Sequence, residues 1–255
     1  MSASSNSTSA AAGAVPGERT LIVTPTYNER DNIEAFASSV FLWAPGAHLL
    51  IVDDNSPDGT GDLADELARR DPRVRVMHRS KKLGLGTAYV SAFKQALRQG
   101  YDYFIEMDAD HSHNPQYLPD FFAAFKAGAD VIVGSRNIAG GGIEGWGLDR
   151  HILSKGGSLY SRTILGVEVR DLTTGYKGFT RQALEAIDLS RVDSNGYSFQ
   201  IEMTFRALNK GLKVVEVPIV FVDRELGRSK MNRRIFAEAV LVVWKLRWAA
   251  LRKRL

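Results

Sequence analysis

From residue 21 to residue 136 the chain repeats one pattern: a short apolar run, then apolar residues spaced along one helix face. LIVTPTY (21–27), HLLIVDD (48–54), RVRVMHR (73–79), YFIEMDAD (103–110) and DVIVGSR (130–136) read as strands, rich in β-branched residues and closed by turn formers. Between them lie four helical stripes: Ile33, Phe36, Ala37, Val40 and Phe41; Leu63, Ala64, Leu67 and Ala68; Ala88, Ala92, Phe93, Ala96 and Leu97; and Leu118, Phe121, Phe122 and Phe125. Strands alternating with helices predict βαβ units, and continuous apolar strands predict a sheet covered on both faces. The expected fold class is therefore α/β, a mostly parallel, Rossmann-like sheet flanked by helices in a single domain over residues 19–232. Ligands of such sheets sit beyond the carboxyl ends of the strands. Polar residues gather there, at Thr26–Asn32, Asp53–Asp58, Asp108–His113 and Ser135–Asn137.

The second half is less regular. A glycine-rich loop (138–147) precedes a helix over about 148–165, and KVVEVPIVFVD (213–223) reads as one strand whose Pro218 marks an edge or bulge. The small, polar start, residues 1–18, reads as a disordered tail without the apolar run of a secretory signal. Residues 233–255 read as a basic amphipathic helix. Its longest uncharged run, Ala239 to Trp244, is far short of the ~20 apolar residues of a membrane span. Two roles suit it, docking on the body or lying in a membrane interface with tryptophans at headgroup depth. The chain has no cysteine, which excludes disulfides, thiolate metal sites and cysteine nucleophiles. A net charge of +4 gives no ground for a nucleic-acid partner.

A dinucleotide site needs G-x-G-x-x-G after the first strand, but PTYNERDN there has no glycine. Gly84 and Gly86 follow the third strand instead, with Tyr89 in the third glycine position, and no G-x-x-x-x-G-K-[ST] occurs. The alternative is a metal held by carboxylates. Asp108 and Asp110, alternate residues on an extended segment, can converge on one hard cation such as Mg²⁺ or Mn²⁺. Asp-x-Asp alone is a weak signal, since aspartates after strands are commonly turn formers. Asp53 and Asp54 end the neighbouring strand, and acids gathered at one edge repel one another without a cation or donors. Arg136, the Arg150–Ser154 pair one helical turn apart, and Arg224, Arg228 and Lys230 in one loop add cations that suit phosphate groups.

At these residues the chain resembles the family-2 glycosyltransferases of GT-A fold, within them the dolichol- or polyprenol-phosphate mannose synthases. The resemblance runs from about 20 to 235. It is carried by PTYNERDN (25–32), IVDDNSPDGTGD (51–62), KKLGLGTAY (81–89), MDADHSHNP (107–115), GSRN (134–137), GWGLDRHILSKGG (145–157), DLTTGYKGF (171–179), GYSFQIEM (196–203) and VPIVFVDRELGRSK (217–230). It implies that Pro25, Tyr27, Glu29, Val52 and Asp54 cradle the nucleotide. Asp108, Ala109 and Asp110 would hold the metal diphosphate, with Ser112 a weak further ligand and His111 a bystander. Arg136, Arg150 and Ser154 match acceptor-phosphate positions; Arg224 and Lys230 match contacts to the sugar nucleotide. Asp110, Arg136 and Lys230 are the implied catalytic residues.

The implied reaction moves mannose from GDP-mannose to a polyprenyl (dolichyl) phosphate with inversion, the lipid being reached at a membrane surface through a peripheral helix, an integral-membrane partner protein or both; the basic tail places that attachment at the cytoplasmic membrane face. Its acceptor needs no dedicated base, because a phosphate monoester with a second pKa of about 6 is already largely ionised. Rival readings are glucose from a UDP donor, a soluble acceptor, or a non-catalytic sugar-nucleotide module.

Overall fold

The structure, a computed structural model, describes residues 17–145, 147–223 and 233–252, with the side chains of 148–153 and 233–240 excepted. Five strands appear where the apolar runs predict them: β1 (Thr20–Thr26), β2 (His48–Asp53), β3 (Val74–His78), β4 (Tyr103–Glu106) and β5 (Val131–Ser135). They alternate with α1 (Arg30–Trp43), α2 (Thr60–Arg70), α3 (Leu85–Arg98) and α4 (Leu118–Lys126). After a short β6 (Gly142–Glu144) come α5 (Leu148–Leu165), β7 (Lys177–Thr180), α6 (Arg181–Ile187), α7 (Gly196–Asn209), β8 (Val214–Pro218), β9 (Val220–Val222) and α8 (Arg233–Leu251).

Seven strands form one sheet in the order β3-β2-β1-β4-β7-β5-β8, and β6 pairs with β9. Only β7 runs antiparallel in the large sheet, against β4 on one side and β5 on the other. The sheet is therefore mostly parallel, as expected, with its reversed strand fifth in the order. Alternation along β1 explains the two cores: Ile22 joins Phe36, Val40 and Phe121 on one face, while Leu21 and Val23 join Phe93, Phe199 and Met203 on the other. A third cluster, with Leu165, Phe205, Val243 and Leu246, seats α8 on α5 and α7.

Three differences from expectation have local causes. The fourth strand stops at Glu106, and the chain bends through Asp108–Asp110 into a left-handed His111 (φ 62°). Residues 213–223 make two strands. Pro218 has no N–H for a ladder; the Ile219 amide makes the last bond to the large sheet, at Ser135 O (3.0 Å), while its carbonyl accepts from Gly142 N (3.0 Å), where pairing in the small sheet begins. Gly17 and Glu18, assigned to the tail, form a turn in which Gly17 is buried against Gly46. The rest of that tail, the basic loop over 224–232 and the final three residues lie outside the described residues.

Candidate active site

The register of the parallel strands brings the polar segments to one edge. Pro25 lies beside Val52, Thr26 beside Asp53, and the Asp54 amide continues the ladder to Thr26 O at 3.0 Å. On the other side of β1, the Met107 amide reaches Val23 O at 3.1 Å, so the Asp108–Asp110 bend starts next to the β1 turn. Val52 and Ala109 are buried, so only their backbone can face a ligand, whereas Pro25, Tyr27 and Glu29 are partly open. Glu29 donates its amide to Thr60 Oγ1 (3.0 Å) and accepts from Asn32 Nδ2 (2.8 Å), tying the turn after β1 to the start of α2. The Lys82 ammonium lies 3.8 Å from the Tyr27 ring centroid, a cation–π contact at the rim of the cleft.

The four acids at this edge have different surroundings. Asp53 is spoken for locally, accepting from Ser56 N (3.2 Å), Ser56 Oγ (2.5 Å) and Thr26 Oγ1 (3.4 Å). Asp54 pairs with Arg79 at 2.9 Å with both side chains nearly buried, and burial raises its pKa against the pull of that arginine. Mutual repulsion at β2 is therefore answered by donors from the chain itself, and it is no sign of a cation there. Asp108 and Asp110 differ. Both charges, with that of Glu106, reach the buried Tyr89 hydroxyl, which burial first and these carboxylates next push well above its usual pKa. The two carboxylates thus share one small region. Asp110 is 8% exposed and accepts from Ser112 N at 3.1 Å, while the buried Ser112 Oγ has no hydrogen-bond partner among the described residues. Oxygen donors of this kind suit a hard divalent cation. Among the described residues no three His, Asp or Glu side chains converge, so a cation here would take further ligands from a substrate phosphate or water. His111 is exposed and edge-on to Phe36 at 6.3 Å.

Arg136 follows β5, as predicted, but its fork points inward. Nε and Nη2 donate to the two oxygens of Asp171 at 2.7 and 2.8 Å, Nη2 also to Thr173 Oγ1 at 2.9 Å, and the backbone N–H to Asp171 Oδ2 at 3.1 Å. Burial alone would raise the Asp171 carboxyl; the Arg136 guanidinium outweighs it and holds the carboxyl below its usual range. Arg150 and Ser154 lie on α5, with Ser154 partly buried; Arg224 and Lys230 fall outside the described residues.

Sequence reasoning missed the layer beneath the aspartates. Glu106 and Lys177, register partners across β4 and β7, are both fully buried. Gln200 Nε2 donates to Glu106 Oε2 at 2.8 Å, and Lys177 Nζ donates to Gln200 O at 2.5 Å. Burial pushes the Glu106 carboxyl up to about 8, against the pull of Lys177, and brings the Lys177 ammonium down to about 7, against that of Glu106. Lys177 and Gln200 sit within the segments DLTTGYKGF and GYSFQIEM, but nothing in their local pattern announces that a strand and a helix so far apart meet under the site.

Comparison with known proteins places the chain in a family. The family model Glycosyl transferase family 2 matches residues 21–188. The polyprenol monophosphomannose synthase of Mycolicibacterium smegmatis is 52% identical over 91% of this chain and 89% of its own length. The undecaprenyl-phosphate mannosyltransferase of Micrococcus luteus is 47% identical over 93% of this chain and 99% of its own. Among solved structures, the Mycobacterium tuberculosis glucosyl-3-phosphoglycerate synthase bound to Mn²⁺, UDP-glucose and phosphoglyceric acid superposes with a TM-score of 0.65. It is 18% identical, covers 91% of this chain and 80% of that one, and shares the fold. With a matching model over most of its length and relatives about half identical along nearly all of it, the chain belongs to glycosyl transferase family 2.

Proposed function

We propose that this chain transfers mannose from GDP-mannose to a polyprenyl phosphate, inverting the anomeric centre to give polyprenyl phosphate β-mannose. The observation that carries the reading is the near-half identity to two relatives whose names both specify mannose and a polyprenol, undecaprenol among them. It favours mannose over the rival glucose from UDP.

The nucleotide is assigned to Pro25, Tyr27, Glu29, Val52 and Asp54, which line one edge of the β1 and β2 ends. Asp108 and Asp110, with Ser112, would hold Mg²⁺ or Mn²⁺; the neighbouring fold with Mn²⁺ and UDP-glucose supports a divalent metal. A cation there supplies positive charge for the departing nucleoside diphosphate. The acceptor phosphate arrives already ionised, so the protein's task is to orient its oxygen behind the anomeric carbon. Arg150 and Ser154 on α5 are assigned to that phosphate. Arg136, locked to Asp171, frames the same side, and Arg224 and Lys230 are assigned to the donor.

No described helix is long and apolar enough to cross a membrane. The encounter with a lipid acceptor is proposed to be peripheral, at the cytoplasmic membrane face, with α8 or a membrane protein partner supplying contact. Incubation with radiolabelled GDP-mannose, a polyprenyl phosphate and Mg²⁺ or Mn²⁺ should move label into the organic phase. Asp110→Asn should reduce that transfer by about 100-fold or more while the chain stays folded. Label transferred from UDP-glucose in preference, or full turnover by D110N, would overturn the reading.

A further inference from the structure

We infer that His113 is the positioning residue of the Asp108–Asp110 bend. The inference rests on the metal and nucleotide assignment above, but concerns a residue to which that assignment gives no part. His113 is 2% exposed, and its Nδ1 accepts the backbone N–H of Asp108 at 3.0 Å. An accepting Nδ1 carries no proton, so the ring is the neutral tautomer with its hydrogen on Nε2. The Asp108 amide lies two residues past the end of β4; Met107 makes the last bond to β1, at Val23 O, and the pairing of β4 with β7 has ended at Glu106. His113 thus supplies from its side chain the acceptor that the sheet no longer offers. Ser112 N makes the complementary bond to Asp110 Oδ1 at 3.1 Å. Between them these two bonds set the path of the backbone from which both carboxylates project.

The ring has little room to move. It packs on Tyr176 (centroids 5.3 Å, 31°) and edge-on against Phe221 (5.7 Å, 72°). Gly175 passes so close that a Cβ there would lie 3.1 Å from His113 Cε1 and 3.8 Å from Asp108 Oδ2. Phe221 also lies 5.6 Å from the Arg136 guanidinium, so one aromatic ring separates the donor-side bend from the acceptor-side arginine. A histidine serving only as core filling needs the packing; a positioning histidine also needs an acceptor at the place of Nδ1.

Three variants separate these requirements. In His113→Asn, Oδ1 stands close to the place of Nδ1; in His113→Gln the acceptor is displaced by a methylene; in His113→Phe the ring remains and the acceptor is gone. The readout is calorimetric binding of GDP in the presence of Mn²⁺, with the melting temperature measured without metal. H113F and H113Q should bind Mn²⁺–GDP roughly tenfold more weakly than wild type, and H113N within about threefold of it. Wild-type affinity in H113F, or H113Q binding as well as H113N, would overturn the inference, and the second contrast stands even if H113F does not fold. Failure of the wild-type chain to bind Mn²⁺–GDP would instead overturn the functional assignment, and this inference with it.

Discussion

Gly86 looks like half of a phosphate loop when KKLGLGTAY is read as a string, yet its neighbours explain it otherwise. It opens α3 beneath the start of α7, and a Cβ added there would lie 2.3 Å from the Ser194 carbonyl oxygen and 3.0 Å from the Phe199 ring. A backbone carbonyl cannot swing aside as a side chain can, so Gly86→Ala forces α3 and α7 apart. We expect a loss of about 1–3 kcal/mol from overpacking, partly offset by alanine's better helix propensity, and a melting temperature lower by several degrees. Gly156, inside α5, has no atom within 4 Å of its notional Cβ. Gly156→Ala should therefore be stabilising by about 0.5–1 kcal/mol. Opposite signs for the same chemical change, measured by thermal denaturation, test the packing at Gly86; a neutral G86A would refute it. The pair also marks a limit of sequence reading. That a glycine follows the third strand is legible from the string; what presses against it comes from a helix over 100 residues later, and no local pattern reports that.

Elements were more legible than their partners. The repeated strand–helix pattern predicts β1 to β5 and α1 to α4 because every one of these strands except the edge strand β3 is buried on both faces and each helix on one, so hydrophobicity writes most of their periods. The Pro218 break was visible as a proline but not as a change of sheet, since only pairing with β6 shows where the chain goes next. For α8, one face is docked on the body, and the opposite face is the one left open for the interfacial role. Val243 and Leu246 are buried against α5 and α7, and Arg247 Nη1 donates to the Leu165 carbonyl at the end of α5. Leu241, Trp244, Trp248 and Leu251, spaced at i, i+3, i+7 and i+10, are 52–72% exposed, with Arg252 over the Trp248 ring. Tryptophans beside cations on an outward stripe suit a lipid interface. Replacing Trp244 and Trp248 together by serine should leave the melting temperature near wild type and weaken sedimentation with vesicles containing anionic lipid by roughly tenfold. Equal sedimentation of the two proteins would remove α8 from the membrane contact.

At the scale of the whole molecule, the antiparallel β7 joins the half of the sheet proposed to hold the nucleotide, β1 to β4, to the half made of β5 and β8, and that second half is stitched by Asp171. Its carboxylate takes the Arg136 fork at the end of β5, while its own amide donates to Glu216 Oε1 of β8 at 3.0 Å. No local pattern distinguished this aspartate from a turn former, because its partners stand 35 and 45 residues away. Asp171→Asn keeps the shape and removes the charge, leaving Arg136 buried without its counterion. Breaking such a pair from one side costs about 3–5 kcal/mol. The sign of the pH dependence follows from the depressed carboxyl. Asp171 contributes its stability at pH values above its unfolded pKa near 3.9, and that contribution is lost as pH falls toward and through the folded value. Urea denaturation should therefore show the widest gap between wild type and D171N near neutral pH, narrowing below about pH 4 as the wild-type carboxyl begins to protonate. A gap of constant size from neutral to acidic pH would mean that Asp171 acts through its shape and hydrogen bonds alone, with Arg136 held by something other than its charge.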